Sequence, residues 1–398
     1  MFTNFIILYP LVMTMIWIIG SLMYQFRKNT DISITEQIEG VSILIPCFNE
    51  QDHLEKTVRS LVEQQHRKIE IVLIDDASVD NTLDVMNKLK KIYKDIKIEV
   101  VKLQKNSGKA AAMNEGIKFI NYKYVLCIDA DSLINTYAID QLVSTLNKNP
   151  QLGAVTGKPQ TINRNTMIEK MQAMEYTAII DLIKRSQFFF TGRILTLSGV
   201  IALFRKEAIE SVSGWDPNVQ TEDIDITWRL SEKSFYTGYN PEALTWILVP
   251  HNFRSLLKQR LRWAYGGLQM LIKNRKRLLL PFKAETWLLY EMIVSIFWSF
   301  ITLISSLFFF INIYLSNELH LDGNIILIII LTGLAQFIVG LFINKSTSKI
   351  RWFVFLYVPL YLFFYWLVNL YAIVTAVFKL VYAPKNNGRW ASPKRIVD

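Results

Sequence analysis

Uncharged apolar stretches bracket a central region of ordinary charge density. Residues 5–26, 292–315, 325–343 and 352–378 carry no charged side chain. A helix needs roughly 20 apolar residues to cross a bilayer, so the pattern predicts about four spans. Between them the periodicity shortens. Val41–Phe48 is a continuous apolar run, the mark of a strand buried on both faces. Glu50–Gln65 is helical. The alternation repeats with Glu70–Ile74 and Asp80–Tyr93, Ile98–Leu103 and Lys109–Ile120, then Tyr124–Ile128 and Tyr137–Lys148. Strand and helix in turn predict an α/β domain with a mostly parallel sheet and helices on both faces.

After residue 150 the alternation loosens. Ala154–Thr156 reads as a strand, Met167–Arg185 as one helix and Thr196–Phe204 as an apolar run containing Ser198-Gly199. Asp223–Lys233 reads as a short helix with acidic residues at its start, Tyr236–Val249 as a strand and Phe253–Ile272 as a helix mixing leucines with basic residues. The last pattern suits a helix lying in a membrane interface.

Charge refines the layout. Arg27 and Lys28 follow the first span directly, which places the central region in the cytoplasm. No basic residue precedes that span and no small-residue cleavage site follows it, which argues against a removable signal peptide. Residues 251–285 hold nine basic side chains against Glu285 alone, an anionic-lipid-facing composition beside a span. No nucleic-acid-binding motif accompanies them, so nucleic acid is excluded as a partner. The expected domains are a membrane helix at 1–28, a cytoplasmic domain at 29–250, basic interface helices at 251–285, about three further spans at 286–383 and a basic tail at 384–398. Four crossings would put that tail outside, although its Lys and Arg prefer the inside. A re-entrant or doubled segment in 352–378, bent near Pro359, would reconcile the two.

Candidate chemistry gathers at strand ends, where open α/β sheets bind ligands. Asn49-Glu50, Asp75-Asp76 and Asp129-Ala130-Asp131 each close an apolar run. Asp129 and Asp131 can hold Mg²⁺ or Mn²⁺, whose hard ions prefer oxygen ligands, against a diphosphate. Asp76 can accept hydrogen bonds from a base or ribose, while Ser78 or Asp80 caps the next helix. Asn106-Ser107-Gly108-Lys109 offers amides at a helix start plus a lysine, which suit a phosphate as well as they suit a plain turn. Asp223, in Thr221-Glu222-Asp223, is the candidate general base for a transfer with inversion. Gln259-Arg260-Leu261-Arg262-Trp263 joins an amide and guanidinium groups for phosphate to an indole face for a sugar ring. Cys47 and Cys127 read as buried free thiols, and the scattered His53, His66, His251 and His320 suggest no metal site.

Pro46–Glu50, Asp76, Asn106–Asn114, Asp129–Asp131, Thr221–Asp223 and Gln259–Trp263 stand in an order that resembles processive, inverting, membrane-embedded family 2 glycosyltransferases. Gly153–Gly157, Lys184-Arg185 before Ser186-Gln187, and Trp246–Pro250 are similar to the branch of that family that polymerises N-acetylglucosamine. The resemblance implies a GT-A nucleotide-sugar-binding domain and UDP-N-acetylglucosamine as donor. It implies Pro46, Asn49, Glu50, Asp76, Lys109, Asp129, Ala130, Asp131 and Arg262 on the nucleotide-sugar side. Glu222, Gln259 and Trp263 fall on the acceptor side, and Asp223 is the base. It also implies a growing polysaccharide leaving through the membrane spans and a small membrane accessory subunit. The family keeps Asp76 more firmly than Asp75.

Other readings stay open at the level of residues. One is a transferase adding a single sugar to a lipid carrier, against which Gln259–Trp263 speaks. Another is a membrane protein that only senses nucleotide sugars, against which the carboxylate set speaks. A hyaluronan- or cellulose-like product is a third, because no residue visibly selects an acetamido group over a hydroxyl.

Overall fold

The computed structural model describes residues 2–27, 39–279, 284–316, 323–348, 350 and 356–382. Along the chain run α1 (Phe2–Arg27), β1 (Val41–Cys47), α2 (Leu54–Val62), β2 (Ile69–Asp75), α3 (Thr82–Ile92), β3 (Lys97–Lys102), α4 (Lys109–Gly116), β4 (Tyr124–Ile128) and β5 (Leu133–Ile134). Then follow α5 (Ala138–Lys148), β6 (Leu152–Thr161), α6 (Met167–Glu175), a π-helical turn (Tyr176–Ile180), α7 (Asp181–Thr191), β7 (Ile201–Arg205), α8 (Lys206–Ser211), α9 (Glu222–Glu232) and β8 (Tyr236–Ile247). The last elements are α10 (Phe253–Lys273), α11 (Ala284–Ser316), α12 (Gly323–Ile343) and α13 (Val358–Tyr382).

Two compact units divide the chain. One comprises Asn29–Glu169 and Gly192–Ser255; the other comprises Met1–Lys28, Lys170–Thr191 and Leu256–Ala383. The segment 170–191, which the sequence assigns to the soluble domain, therefore groups with the membrane-length helices.

The first unit is built on one eight-stranded sheet of order β3-β2-β1-β4-β7-β6-β8-β5. The four strands β3, β2, β1 and β4 are parallel, as their continuous apolar runs predict. β7 runs antiparallel to β4 and β6, so the sheet is mixed beyond that point. β6 and β8 pair in parallel. Residue 152 already belongs to β6, which extends well past the expected Ala154–Thr156 because pairing with β8 orders Lys158–Thr161. Ile43, Leu44, Ile45, Ile71, Leu73 and Ile74 are fully buried and form the centre of the core. Pro46 sits in the inner strand β1 without disrupting it. β4 pairs with β1 only through Leu44, so the missing N–H of Pro46 falls where one side of the strand has no ladder.

The second unit is helical. Among the described residues, Asn4–Arg27, Leu289–Leu315 and Val358–Tyr382 are long and apolar enough to cross a membrane. The fourth expected span is shorter, its apolar part covering Leu327–Ile343. α13 is one continuous helix with Pro359 in its first turn, where a proline is tolerated. Residues 351–355, at the start of the expected doubled segment, lie outside the described residues. The linker residues 28–38 and the basic tail lie outside the described residues. Pro10 inside α1 removes the hydrogen bond that the carbonyl of Ile6 would accept. The indole N–H of Trp298 on α11 supplies it instead at 3.0 Å, as an apolar surrounding demands.

The expected single helix over Met167–Arg185 is interrupted by the π turn and continues to Thr191. A π turn leaves backbone carbonyls short of helical donors. Here the Asn344 side chain donates to the Thr177 carbonyl at 3.0 Å and that of Gln336 to the Ala178 carbonyl at 3.4 Å. Gly340 lets α12 come this close, since a Cβ there would lie 2.6 Å from the Ala178 Cα. Asp181 follows the turn and holds Arg185 at 2.9 and 3.0 Å, while Asn344 donates to Asp181 at 2.8 Å and Arg185 donates to Gln25 at 2.9 Å. Arg185 is 2% exposed, so its buried charge is compensated by this partner. Asp181→Ala is expected to cost about 3–5 kcal/mol by stranding the guanidinium. A thermal melt of the detergent-solubilised protein checks this; an unchanged midpoint would refute it.

Candidate active site

The loops that follow β1, β2 and β3 are tied to one another. Asn49 and Ala77 adopt left-handed backbone conformations with φ of 58° and 57°, which asparagine tolerates and alanine holds only under constraint. The constraint is visible. The Asn49 N–H donates to Ser78 Oγ at 3.0 Å, and Asn49 Oδ1 accepts from the Val79 N–H at 2.9 Å. The Glu50 N–H donates to Thr82 Oγ1 at 2.8 Å. Asp80 accepts from the Thr82 N–H at 3.0 Å, close to the capping role read from sequence, although the helix start falls after Asn81.

Asp76 continues the chain of contacts. Its two carboxylate oxygens accept from the backbone N–H groups of Ser107 at 2.7 Å and Gly108 at 2.8 Å. Those two amides, expected to suit a phosphate, are therefore occupied by Asp76, which fixes the loop opening α4. Burial raises the Asp76 pKa above the usual carboxylate value, with the two amides pulling against that rise. Asp75, by contrast, spends Oδ1 on the Ser78 N–H at 3.0 Å, a local turn role.

Lys109, the first residue of α4, is the hub. Its ammonium lies 2.5 Å from Asp129 Oδ1 and 3.2 Å from Glu222 Oε1, and it donates to the Gly199 carbonyl at 2.8 Å. Burial works against its charge, but Asp129, Glu222 and Asp223 outweigh it and raise the Lys109 pKa. A lysine raised in the folded state contributes stability that is fully present below its unfolded value, about pH 10.4, and lost only above it. The charge is thus constant across the working range of an enzyme.

Asp223 stands at the start of α9, where the helix end favours negative charge. Its Oδ2 accepts from the Gly199 N–H at 3.1 Å and its Oδ1 from the Ile224 N–H at 2.9 Å. The sequence shows Ser198-Gly199 only as part of the apolar run Thr196–Phe204 and gives Gly199 no role at the site. The pair is a turn that precedes β7, with the Ile201 N–H donating to the Ser198 carbonyl at 3.2 Å. The signal was a glycine interrupting an apolar run. An added Cβ at Gly199 would sit 3.1 Å from Asp223 Oδ2, so that carboxylate would have to give by a few tenths of an ångström, while Lys109 Nζ at 3.4 Å is in ordinary contact. Gly199→Ala is expected to lower turnover ~10–100-fold by displacing the Asp223 carboxylate while leaving the fold intact. Wild-type turnover in the variant, measured with its melting midpoint, would dismiss this.

Ala130 is buried between Asp129 and Asp131, and its carbonyl accepts from Thr57 Oγ1 at 2.7 Å. Among the described residues no group of three or more His, Cys, Asp or Glu is placed to hold a metal. Two carboxylates completed by substrate phosphates are a donor set that Mg²⁺ commonly uses. Asp129 and Asp131, at the end of β4 with an ammonium already resting on one of them, fit a divalent ion that arrives with a diphosphate. Cys47 and Cys127 are free and buried, and burial raises both thiol pKa values, which makes them inert.

Gln259, Arg262 and Trp263 lie on α10, in the helical unit. Gln259 and Trp263 are one helical turn apart and share a face. Arg262 is exposed, whereas Arg260 is buried, so the two arginines of this stretch differ in kind.

The sequence profile described as glycosyltransferase like family 2 matches residues 39–266. A poly-β-1,6-N-acetyl-D-glucosamine synthase of Staphylococcus epidermidis is 36% identical over 407 residues, covering 98% of both chains. The protein of that name from Staphylococcus aureus strain MSSA476 is 34% identical over 411 residues, covering 99% of this chain and 98% of that one. Among solved structures, a mannosyltransferase from Pyrobaculum calidifontis in complex with GDP-Man and Mn²⁺ superposes with a TM-score of 0.61 at 17% identity. The superposition covers 96% of this chain and 99% of that one. That likeness establishes the fold as GT-A.

Proposed function

The chain belongs to glycosyltransferase family 2, and from that membership we propose a processive, inverting synthase that polymerises N-acetylglucosamine from UDP-N-acetylglucosamine into a β-1,6-linked exopolysaccharide. The observation that carries this reading is the Lys109 hub, where Asp129, Glu222 and the Gly199 turn that holds Asp223 meet at the carboxyl ends of the strands. End-to-end likeness to relatives named for that polymer supplies the donor and the linkage.

In the proposed reaction an acceptor hydroxyl oxygen bonds to the anomeric carbon of the donor as the bond from that carbon to the diphosphate oxygen breaks. UDP leaves, and Asp223 takes the hydroxyl proton. Asp76 orders the loop against the uridine side together with Pro46, Asn49 and Glu50. Lys109 keeps Asp129 and Glu222 in place beside the base. Asp129 and Asp131 would hold Mg²⁺ or Mn²⁺, which neutralises charge on the departing diphosphate. Arg262 pairs with phosphate, and Gln259 and Trp263 take the acceptor sugar.

The membrane-length helices and the Arg27-Lys28 pair after α1 support a multi-pass protein with its sheet domain on the cytoplasmic side. Anionic lipids, a small membrane accessory subunit and export of the polymer through the helical region complete the proposal. Purified protein in membranes, given Mg²⁺ and in turn UDP-N-acetylglucosamine, UDP-glucose and UDP-glucuronate, tests it. Long polymer and UDP release from the first donor alone are expected. Polymer from another donor would overturn the donor assignment, and a short lipid-linked product would overturn processivity. Trp263→Ala is expected to raise the acceptor KM roughly tenfold, the worth of one aromatic face. An unchanged KM and chain length would remove the stacking role.

A further inference from the structure

Glu175 and Arg260 are each only 6% exposed and form a two-point ion pair, Nη1 to Oε1 at 2.8 Å and Nη2 to Oε2 at 2.5 Å. Nothing in the proposed reaction uses either residue. A buried ion pair is a poor device for stability, since well-packed apolar residues do as well or better. Its worth here lies in fixing the orientation of the rings around it. The Arg260 guanidinium lies over the Trp263 ring, 4.3 Å from its centroid, and 5.4 Å from that of Tyr365. Tyr365 is in turn stacked on Tyr361 at 4.5 Å, and Tyr361 meets Phe337 edge-on at 5.2 Å. One face of the indole is thus occupied by a guanidinium clamped from behind.

Glu175 is itself held in an unusual way. It is the last residue before the π turn, where Gln336 of α12 donates to the Ala178 carbonyl and Asn344, just past α12, to the Thr177 carbonyl. Gln259, beside Arg260, has a buried Oε1 with no hydrogen-bond partner among the described residues. A buried acceptor of this kind awaits a donor, and a sugar hydroxyl or acetamido N–H is such a donor.

We propose that Glu175 is a positioning residue for the acceptor. Through Arg260 it sets the free face of Trp263 and the amide of Gln259 in the orientation that receives the end of the growing polysaccharide. This rests on reading Gln259 and Trp263 as the acceptor residues. Glu175 touches no substrate; it acts through the guanidinium, which its carboxylate holds in place over the indole.

The test uses the full-length protein in membranes and a short β-1,6-linked N-acetylglucosamine oligosaccharide as the acceptor probe. In Glu175→Gln the acceptor KM is expected to rise at least tenfold and the polymer to shorten, while the KM for UDP-N-acetylglucosamine stays within twofold. Glu175→Asp, which keeps the charge, recovers part of the loss. Should Glu175→Gln fail to accumulate, the Glu175→Gln/Arg260→Met pair removes both charges together and is expected to fold with the same acceptor defect. An unchanged acceptor KM, or equal rises for donor and acceptor, overturns the positioning role. A wild-type protein that uses the oligosaccharide, with Trp263→Ala indistinguishable from it, overturns the acceptor reading on which the role rests.

Discussion

Asp223→Asn is expected to reduce sugar transfer ~10²–10⁴-fold, the range that a positioned general base supplies, while UDP-N-acetylglucosamine binding changes little. The geometry explains why the two effects separate. Asp223 Oδ1 accepts the Ile224 N–H and Oδ2 the Gly199 N–H. An asparagine keeps one of these acceptors and most of the shape, so α9 and the Gly199 turn remain. What disappears is the basic oxygen, and the new amide nitrogen faces the Gly199 N–H as donor against donor. UDP release and polymer yield give the rate, and calorimetry gives donor binding. Polymer at wild-type yield would remove Asp223 from the base role. Loss of rate and binding together would mean that it organises the site instead.

Lys109→Met is expected to damage the protein in two measurable ways. The ammonium side chain is only 17% exposed and touches Asp129, Glu222 and the Gly199 carbonyl. Deleting it strands carboxylates that repel one another, costing about 3–5 kcal/mol of stability. Turnover should fall ~10²–10³-fold, the scale of losing one preorganised electrostatic contact. A third readout separates Lys109 from the metal ligands. With no ammonium on Asp129, Mn²⁺ binding, followed by its paramagnetic signal, should tighten in the variant even as turnover falls. A variant with the stability and turnover of the wild type would exclude the hub role. Mn²⁺ binding that weakens would show that Lys109 supports the metal site instead of competing with it.

Much of the sheet domain is legible in the chain because parallel strands are buried on both faces and read as unbroken apolar runs. β1, β2 and β4 stand out for that reason, and so do the carboxylates that close them. β3 is an edge strand with Lys97 and Lys102 exposed at its ends, yet its apolar centre still marks it. The later half resists reading because its pairings are distant and irregular. β6 joins β8 across a register shift between Thr156 and Lys158, a feature no local window contains. Gly199 was hidden for a different reason, since a turn inside an apolar run has the composition of a strand. Asp76 was found by position, but its partners Ser107 and Gly108 lie 31 and 32 residues on, and its structural task depends on them. Glu175 left no trace at all. It pairs with a residue 85 positions away, and the π turn beside it receives hydrogen bonds from the side chains of Gln336 and Asn344. In a single sequence Met167–Arg185 is simply a helix with an apolar face.

The excursion of residues 170–191 out of the sheet unit bears on how the protein is made. β6 is synthesised before that segment and its partner β8 after it. A ribosome releasing the chain in order therefore delivers the four parallel strands first. A stretch that groups with the membrane-length helices comes next, and only then do the strands that close the sheet arrive. Biogenesis cannot run as one finished soluble globule followed by one insertion event. The two processes alternate in time, and shortening the gene from either end does not isolate the sheet unit from its hydrophobic companion.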